Sequence, residues 1–208
     1  MQAIALSKAP VIASHSSART LSQAVSRNLE DDVLLAIKAN GGVVQTVAFA
    51  SYLDRDKNSA YREVLNALHA EIAESIGFEI LGFGPRRSMS EAGRAAYNEG
   101  FAQVTKLAAP RLEAEVYAVA PPVDVNDFAD HIDYMVNKMG IDHVGLSSDF
   151  DGGGGIHGWN SAAETHNVTI ELVRRGYTEA EIGAMWSGNL LRVLDEVQEV
   201  SREMLAAE

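Results

Sequence analysis

Two short apolar runs each end in a side chain that can bind a metal or move a proton, Val11-Ile-Ala-Ser-His15 and Val144-Gly-Leu-Ser-Ser-Asp149. An imidazole titrates near neutral pH and ligates metals, and a carboxylate is a ligand or a proton acceptor. Such residues at the ends of buried strands are the arrangement of parallel β-barrel enzymes, whose working groups sit at the C-terminal strand ends. The competing reading of His15 is a hydrogen-bonded structural imidazole. For Asp149 and Asp151, which flank Phe150, it is a pair of turn carboxylates accepting backbone N–H bonds. Arg27 carries a planar guanidinium suited to a two-pronged grip on a carboxylate, against the plainer reading of a surface arginine near a helix start.

Gly152 to Gly155 form an unbroken glycine run, which requires a backbone free of Cβ, for positive φ or for close approach. The run lacks the Lys-Ser/Thr of a P-loop and the glycine spacing of a dinucleotide fingerprint. His131, His157 and His166 share no tight ligand spacing, and Arg86-Arg87 and Arg174-Arg175 read as solvated helix ends. Of the tryptophans, Trp159 and Trp186, one is expected to line a pocket or loop and the other to pack.

The elements that must position these groups follow a βαβ rhythm. Pro10 precedes a strand at about 11–14, and Asn28 resembles an N-cap ahead of the acidic first turn of a helix that Asn40-Gly41-Gly42 stops. A second strand spans 42–49. Residues 54 to 118 break the rhythm as a helical excursion: Tyr61, Val64, Leu65, Leu68 and Ile72 give an amphipathic helix over 58–76, residues 82–87 read as a turn, and a second helix spans 90–107. A helix over 128–139, ended by Gly140, then leads to a third strand at 143–149. A helix over 160–175 follows, Thr178-Glu-Ala-Glu181 is a capping box, and a final helix runs toward Glu203.

With 208 residues, 47% of them hydrophobic, the chain can bury a sizeable core. A net charge of -12 disfavours nucleic acid and anionic membranes as partners. No cysteine is present, so disulfides, thiolate zinc sites and thiol nucleophiles are excluded, and any metal is held by His, Asp or Glu. The N-terminus does not read as a secretory signal, and no apolar stretch approaches the roughly 18 residues of a membrane span. The expected location is cytoplasmic, or periplasmic where a signal has been removed.

The stretches Ala9-Pro-Val-Ile-Ala-Ser-His-Ser-Ser-Ala18, Arg27-Asn28, Asp130-His-Ile-Asp133, Gly145-Leu-Ser-Ser-Asp-Phe-Asp-Gly152, Leu172-Val-Arg-Arg-Gly-Tyr-Thr-Glu-Ala-Glu-Ile182 and Gly188-Asn-Leu-Leu-Arg-Val193 together resemble the C-terminal portion of the renal (membrane) dipeptidase family. The resemblance implies a (β/α)₈ barrel that hydrolyses dipeptides with two bridged zinc ions. By it, His15 is a zinc ligand at a strand end, Arg27 binds the substrate's C-terminal carboxylate, and Asp149 assists proton transfer. The family's His-x-Asp pair, bridging Glu and other early-strand histidines have no counterpart here, and Tyr134 stands where many relatives carry a second His.

The expected fold is therefore α/β: one partial TIM-type barrel domain over 1–208, with three parallel strands, flanking helices and the excursion. A barrel cut there leaves open strand edges, so an N-terminal half-barrel chain or a homo-oligomer is the expected protein partner and a dipeptide the substrate. The chain would supply the C-terminal part of a zinc dipeptidase and show little activity alone. The alternatives are a non-catalytic interaction or scaffold protein derived from a hydrolase, and another metal-assisted hydrolase built on His15, His157 and Asp149.

Overall fold

Three parallel strands organise the chain, whose computed structural model describes residues 1–207. Helix α1 (Gln2–Leu6) precedes β1 (Ile12–Ala13), α2 (Asp31–Ala39) leads to β2 (Val43–Val47), and α3 (Ala50–Leu53) follows. The strand order is β1-β2-β3 with β3 at Val144–Ser147, and all pairings are parallel. Only β2 is enclosed by two neighbours, and all five of its residues are buried. The outer edges of β1 and β3 pair with no strand among the described residues, and Ile12 on β1 is 49% exposed. Inside β2 the Thr46 hydroxyl is buried and has no hydrogen-bond partner among the described residues.

Two compact units divide the chain, one of residues 1–56 with 123 onward, the other of residues 57–122. The second unit corresponds to the excursion. It holds most of α4 (Arg55–Ser75), the short α5 (Phe83–Arg87) and α6 (Glu91–Ala108), and its own core includes Leu65, Leu68, Ile72, Val104 and Val116. Residues 83–87, expected as a turn, are a helical turn: Gly82 caps it, and Pro85 lies in the first turn, where its missing N–H costs nothing.

In the first unit, α7 (Val125–Met139) places Phe128, Ile132, Met135 and Met139 on one face, all buried in the principal core with Leu34, Ile37, Val44 and Val144. Burial of each such side chain contributes about 2 kcal/mol, so this stripe seats the helix on the sheet. Asp124 closes a capping box with Asp127, which starts the helix at Val125, earlier than expected, and Gly140 at φ 88° ends it. Tyr134 packs against the core and also donates to Asp31 Oδ1 at 2.6 Å, tying α7 to α2, so its role exceeds packing.

Helix α8 (Thr165–Arg174) begins later than Asn160, because a 3₁₀ turn at Ala162–Glu164 and the Asn160 amide bonded to Glu164 occupy the expected first turns. Thr178 and Glu181 form the expected capping box on α9 (Glu179–Gly183), and α10 (Asn189–Ala206) ends the chain. Leu190, Leu191, Leu194 and Val197 on α10 are all at least a third exposed.

Arg175, read as a solvated helix end, is instead a tie between α7 and α8. Its side chain, 19% exposed, reaches Glu171, Asp130 and Asp133 at 2.8, 2.7 and 2.6 Å, while Arg174 remains in solvent. Trp159 and Trp186 both pack: Trp159 is in the core, the rings meet edge-on at 5.8 Å, and each indole N–H donates to a threonine.

Candidate functional site

At the C-terminal ends of β1 and β3 the chain brings His15 and Asp149 together, with Nε2 of His15 3.7 Å from Oδ1 of Asp149. Their side chains are 44% and 23% exposed, so both groups are open to a ligand from solvent. His15 Nδ1 lies 2.8 Å from Ser14 Oγ, which orients the ring. Between them runs β2, so the pair spans the whole sheet at one end.

Asp149 is presented by a strained backbone. Its φ is 53° and that of Asp151 is 64°, the left-handed region that costs a non-glycine residue about 1 kcal/mol or more. The glycine run makes this conformation possible. The amides of Gly152 and Gly154 both donate to the Asp149 carbonyl, at 3.1 and 2.9 Å, so the chain curls tightly around that residue. A Cβ on Gly154 would overlap the Ser148 carbonyl oxygen and sit 2.7 Å from Asp149 Cβ, and one on Gly152 would strike the Asp149 carboxylate. The run is thus a cradle for a carboxylate. Its close approaches are to its own chain, and Asp149 accepts those backbone bonds through its main-chain oxygen, leaving the carboxylate available.

The loop after β1 is held by buried polar side chains. Ser16 and Ser17 extend the sheet: the Ser16 amide donates to the Gln45 carbonyl and the Ser17 hydroxyl to that of Val47. Asn28 is not an N-cap. Glu30 occupies that position, while Asn28 is buried, accepts from the Ser17 amide at 3.0 Å and donates to Ser22 Oγ and the Tyr52 carbonyl at 2.8 and 2.6 Å.

His131 fastens the same loop from α7. Its Nδ1 accepts from the Ala18 amide at 3.1 Å, so the proton sits on Nε2, which lies 2.9 Å from the Leu53 carbonyl. Burial pushes the His131 pKa down, against the Leu53 hydrogen bond and the nearby Asp130, Asp127 and Asp54, and the ring is held neutral. Neither anchor was visible to sequence reasoning as such. The available signal was His131 on the apolar face of a helix with Phe128 and Met135.

Arg27 lies beside Asn28 in this loop, exposed, and its side chain makes no ion pair or hydrogen bond among the described residues. It does not join the His15–Asp149 pair. His157 pairs its backbone with Val123 and Asp124, and no group of three His, Asp or Glu able to hold a metal occurs among the described residues, so the constellation of His15, His157 and Asp149 is not assembled. One imidazole and one carboxylate do not fit a two-zinc site, because each ion requires several ligands.

The sequence profile of the membrane dipeptidase family, peptidase family M19, matches residues 1–208. Dipeptidase aclJ of Aspergillus oryzae is 28% identical over 200 residues, 96% of this chain and 32% of that protein. Dipeptidase 3 of Mus musculus is 25% identical over 205 residues, 98% of this chain and 28% of that protein. Among solved structures, the probable dipeptidase PvdM from Pseudomonas aeruginosa aligns with a TM-score of 0.63 at 35% identity, over 95% of this chain and 47% of that one. A metallopeptidase from Rhodobacter sphaeroides, liganded with a phosphinate mimic of the dipeptide L-Ala-D-Ala, shares the fold at 20% identity and a TM-score of 0.59, over 93% of this chain and 38% of that one. The chain spans about a third of the length of the curated relatives it matches.

Proposed function

Because the chain belongs to the membrane dipeptidase family, peptidase family M19, we propose that it supplies the C-terminal part of a TIM-type barrel that hydrolyses dipeptides. In this reading His15 provides one ligand of a zinc pair, and the remaining ligands come from a separate segment that completes the barrel. Arg27 takes the dipeptide's C-terminal carboxylate through its two parallel N–H donors. Asp149 receives the proton of the attacking water and returns it to the departing amine.

The observation that supports this reading is the approach of His15 and Asp149 to 3.7 Å across the end of a parallel sheet. Two groups from different strand ends meet where barrel enzymes place their chemistry. Their residual exposure and the strain at Asp149 are the features of a site rather than of a packed core.

The test is a mixing experiment. The purified chain, with zinc and a simple dipeptide, is assayed alone and with an N-terminal barrel segment that carries the family's His-x-Asp pair. Turnover in the mixture, its absence in either part alone, and its loss with His15→Ala support the proposal. Turnover and two tightly held zinc ions in the chain alone would refute it. Full turnover in a mixture containing His15→Ala would also refute it, and would favour a non-catalytic scaffold role for this segment.

A further inference from the structure

The second unit contains a concavity of about 270 Å³ lined by Phe83, Arg86, Arg87, Arg94, Tyr97 and Asn98. Three arginines line the space and no carboxylate does, in a chain with 29 acidic residues. Among the described residues, none of the three arginines has an ion-pair or side-chain hydrogen-bond partner. Arg111 of the same unit shows the usual outcome, gripping Glu71 and Glu115 at 2.8 and 2.7 Å.

A packed tyrosine lines this concavity. Tyr97 is buried, its hydroxyl accepts from the Leu81 amide at 3.3 Å, and its ring packs between Phe78 and Phe101 at centroid distances of 5.3 and 6.2 Å. Arg86 lies over that ring, 5.9 Å from its centre. Arg94, Tyr97 and Asn98 share one face of α6 by their i, i+3, i+4 spacing. Arg94 stands one turn from the start of that helix, where the dipole opposes a cation. Phe83 at the rim is 71% exposed, an aromatic surface with nothing to bury it.

We propose that this concavity is a binding site for a small phosphate monoester with an aromatic body. A phosphate dianion needs more than one positive charge, and its oxygens match forked guanidinium donors. The volume is that of a small ligand and lies below the usual range for drug-sized pockets. Phe83, open at the rim, offers a face on which a planar ring stacks. The site is independent of the strand-end residues and of the activity proposed for them.

Calorimetric titration of the full chain with phenyl phosphate, inorganic phosphate and benzoate at low salt tests it. Saturable binding of phenyl phosphate is expected, with inorganic phosphate and benzoate each weaker. Arg86→Gln and Arg94→Gln, at exposed positions that leave the circular dichroism unchanged, each weaken it about tenfold. Arg202→Gln, an exposed arginine on α10, serves as the control for net charge and leaves binding intact. Three results would overturn the proposal: no saturation at millimolar phenyl phosphate, an equal loss in the Arg202→Gln control, or benzoate binding as tightly as phenyl phosphate.

Discussion

The loops that follow β1 and β3 solve the same problem by opposite means. Each must deliver a polar residue to the end of the sheet and hold it there. The loop after β3 does so with its own backbone: Gly152 and Gly154 let the chain turn back on Asp149 within five residues, and the bonds are local. The loop after β1 is longer and depends on borrowed side chains, with Asn28 reaching across to the Tyr52 carbonyl and His131 on α7 binding Ala18 and Leu53. A glycine-built loop is specified by sequence neighbours, while a side-chain-built loop is specified by the finished fold.

The largest expected effect falls on the borrowed anchor. His131→Ala removes the partners of the buried Ala18 amide and Leu53 carbonyl and leaves a cavity, so unfolding in urea should show a loss of about 3–5 kcal/mol. Gly154→Ala, which drives a methyl against the Ser148 carbonyl, should cost about 2–3 kcal/mol by the same measurement and displace Asp149. If the His131 change proves the milder of the two, the contrast between the loops is reversed.

Titration sharpens it further. The folded state lowers the His131 pKa, so the unfolded chain binds the proton more readily. Stability from this group is complete above the unfolded value of roughly 6.5 and falls as pH drops below it, by at most about 1.4 kcal/mol per pH unit, levelling once the folded protein also protonates. Urea midpoints between pH 5 and 8, compared with those of His131→Ala, isolate that contribution. Arg27→Ala stands at the other extreme. The side chain is exposed and makes no ion pair or hydrogen bond among the described residues, so stability should change by less than about 0.5 kcal/mol, while KM for a dipeptide rises in the mixed enzyme.

The same division explains what the sequence made legible. The strands, their parallel order, the glycine run and the Thr178 capping box are written in local patterns, and the structure contains each of them. Asn28 misled because Asn before an acidic run is a good cap signal, and only the folded chain shows its amide committed to Ser17, Ser22 and Tyr52. Ala18 and His131 lie 113 residues apart, and no window along the chain connects them. The tie made by Arg175 is hidden from local patterns for the same reason: its partners Asp130 and Asp133 sit on another helix. His15 and Asp149 were singled out from their positions at strand ends. Their mutual distance required the register of three strands.

The outer edge of β1, paired with no strand among the described residues and half exposed at Ile12, bears on how the chain behaves in bulk solution. The exposed β1 edge and the leucines of α10 favour contact between molecules, whereas a charge of -12 keeps like molecules apart. That repulsion reaches about 30 Å in 10 mM salt and only about 3 Å in 1 M. Ionic strength therefore sets the balance between dispersal and aggregation, and the acidity of the surface acts as colloidal protection for a sheet with one open flank.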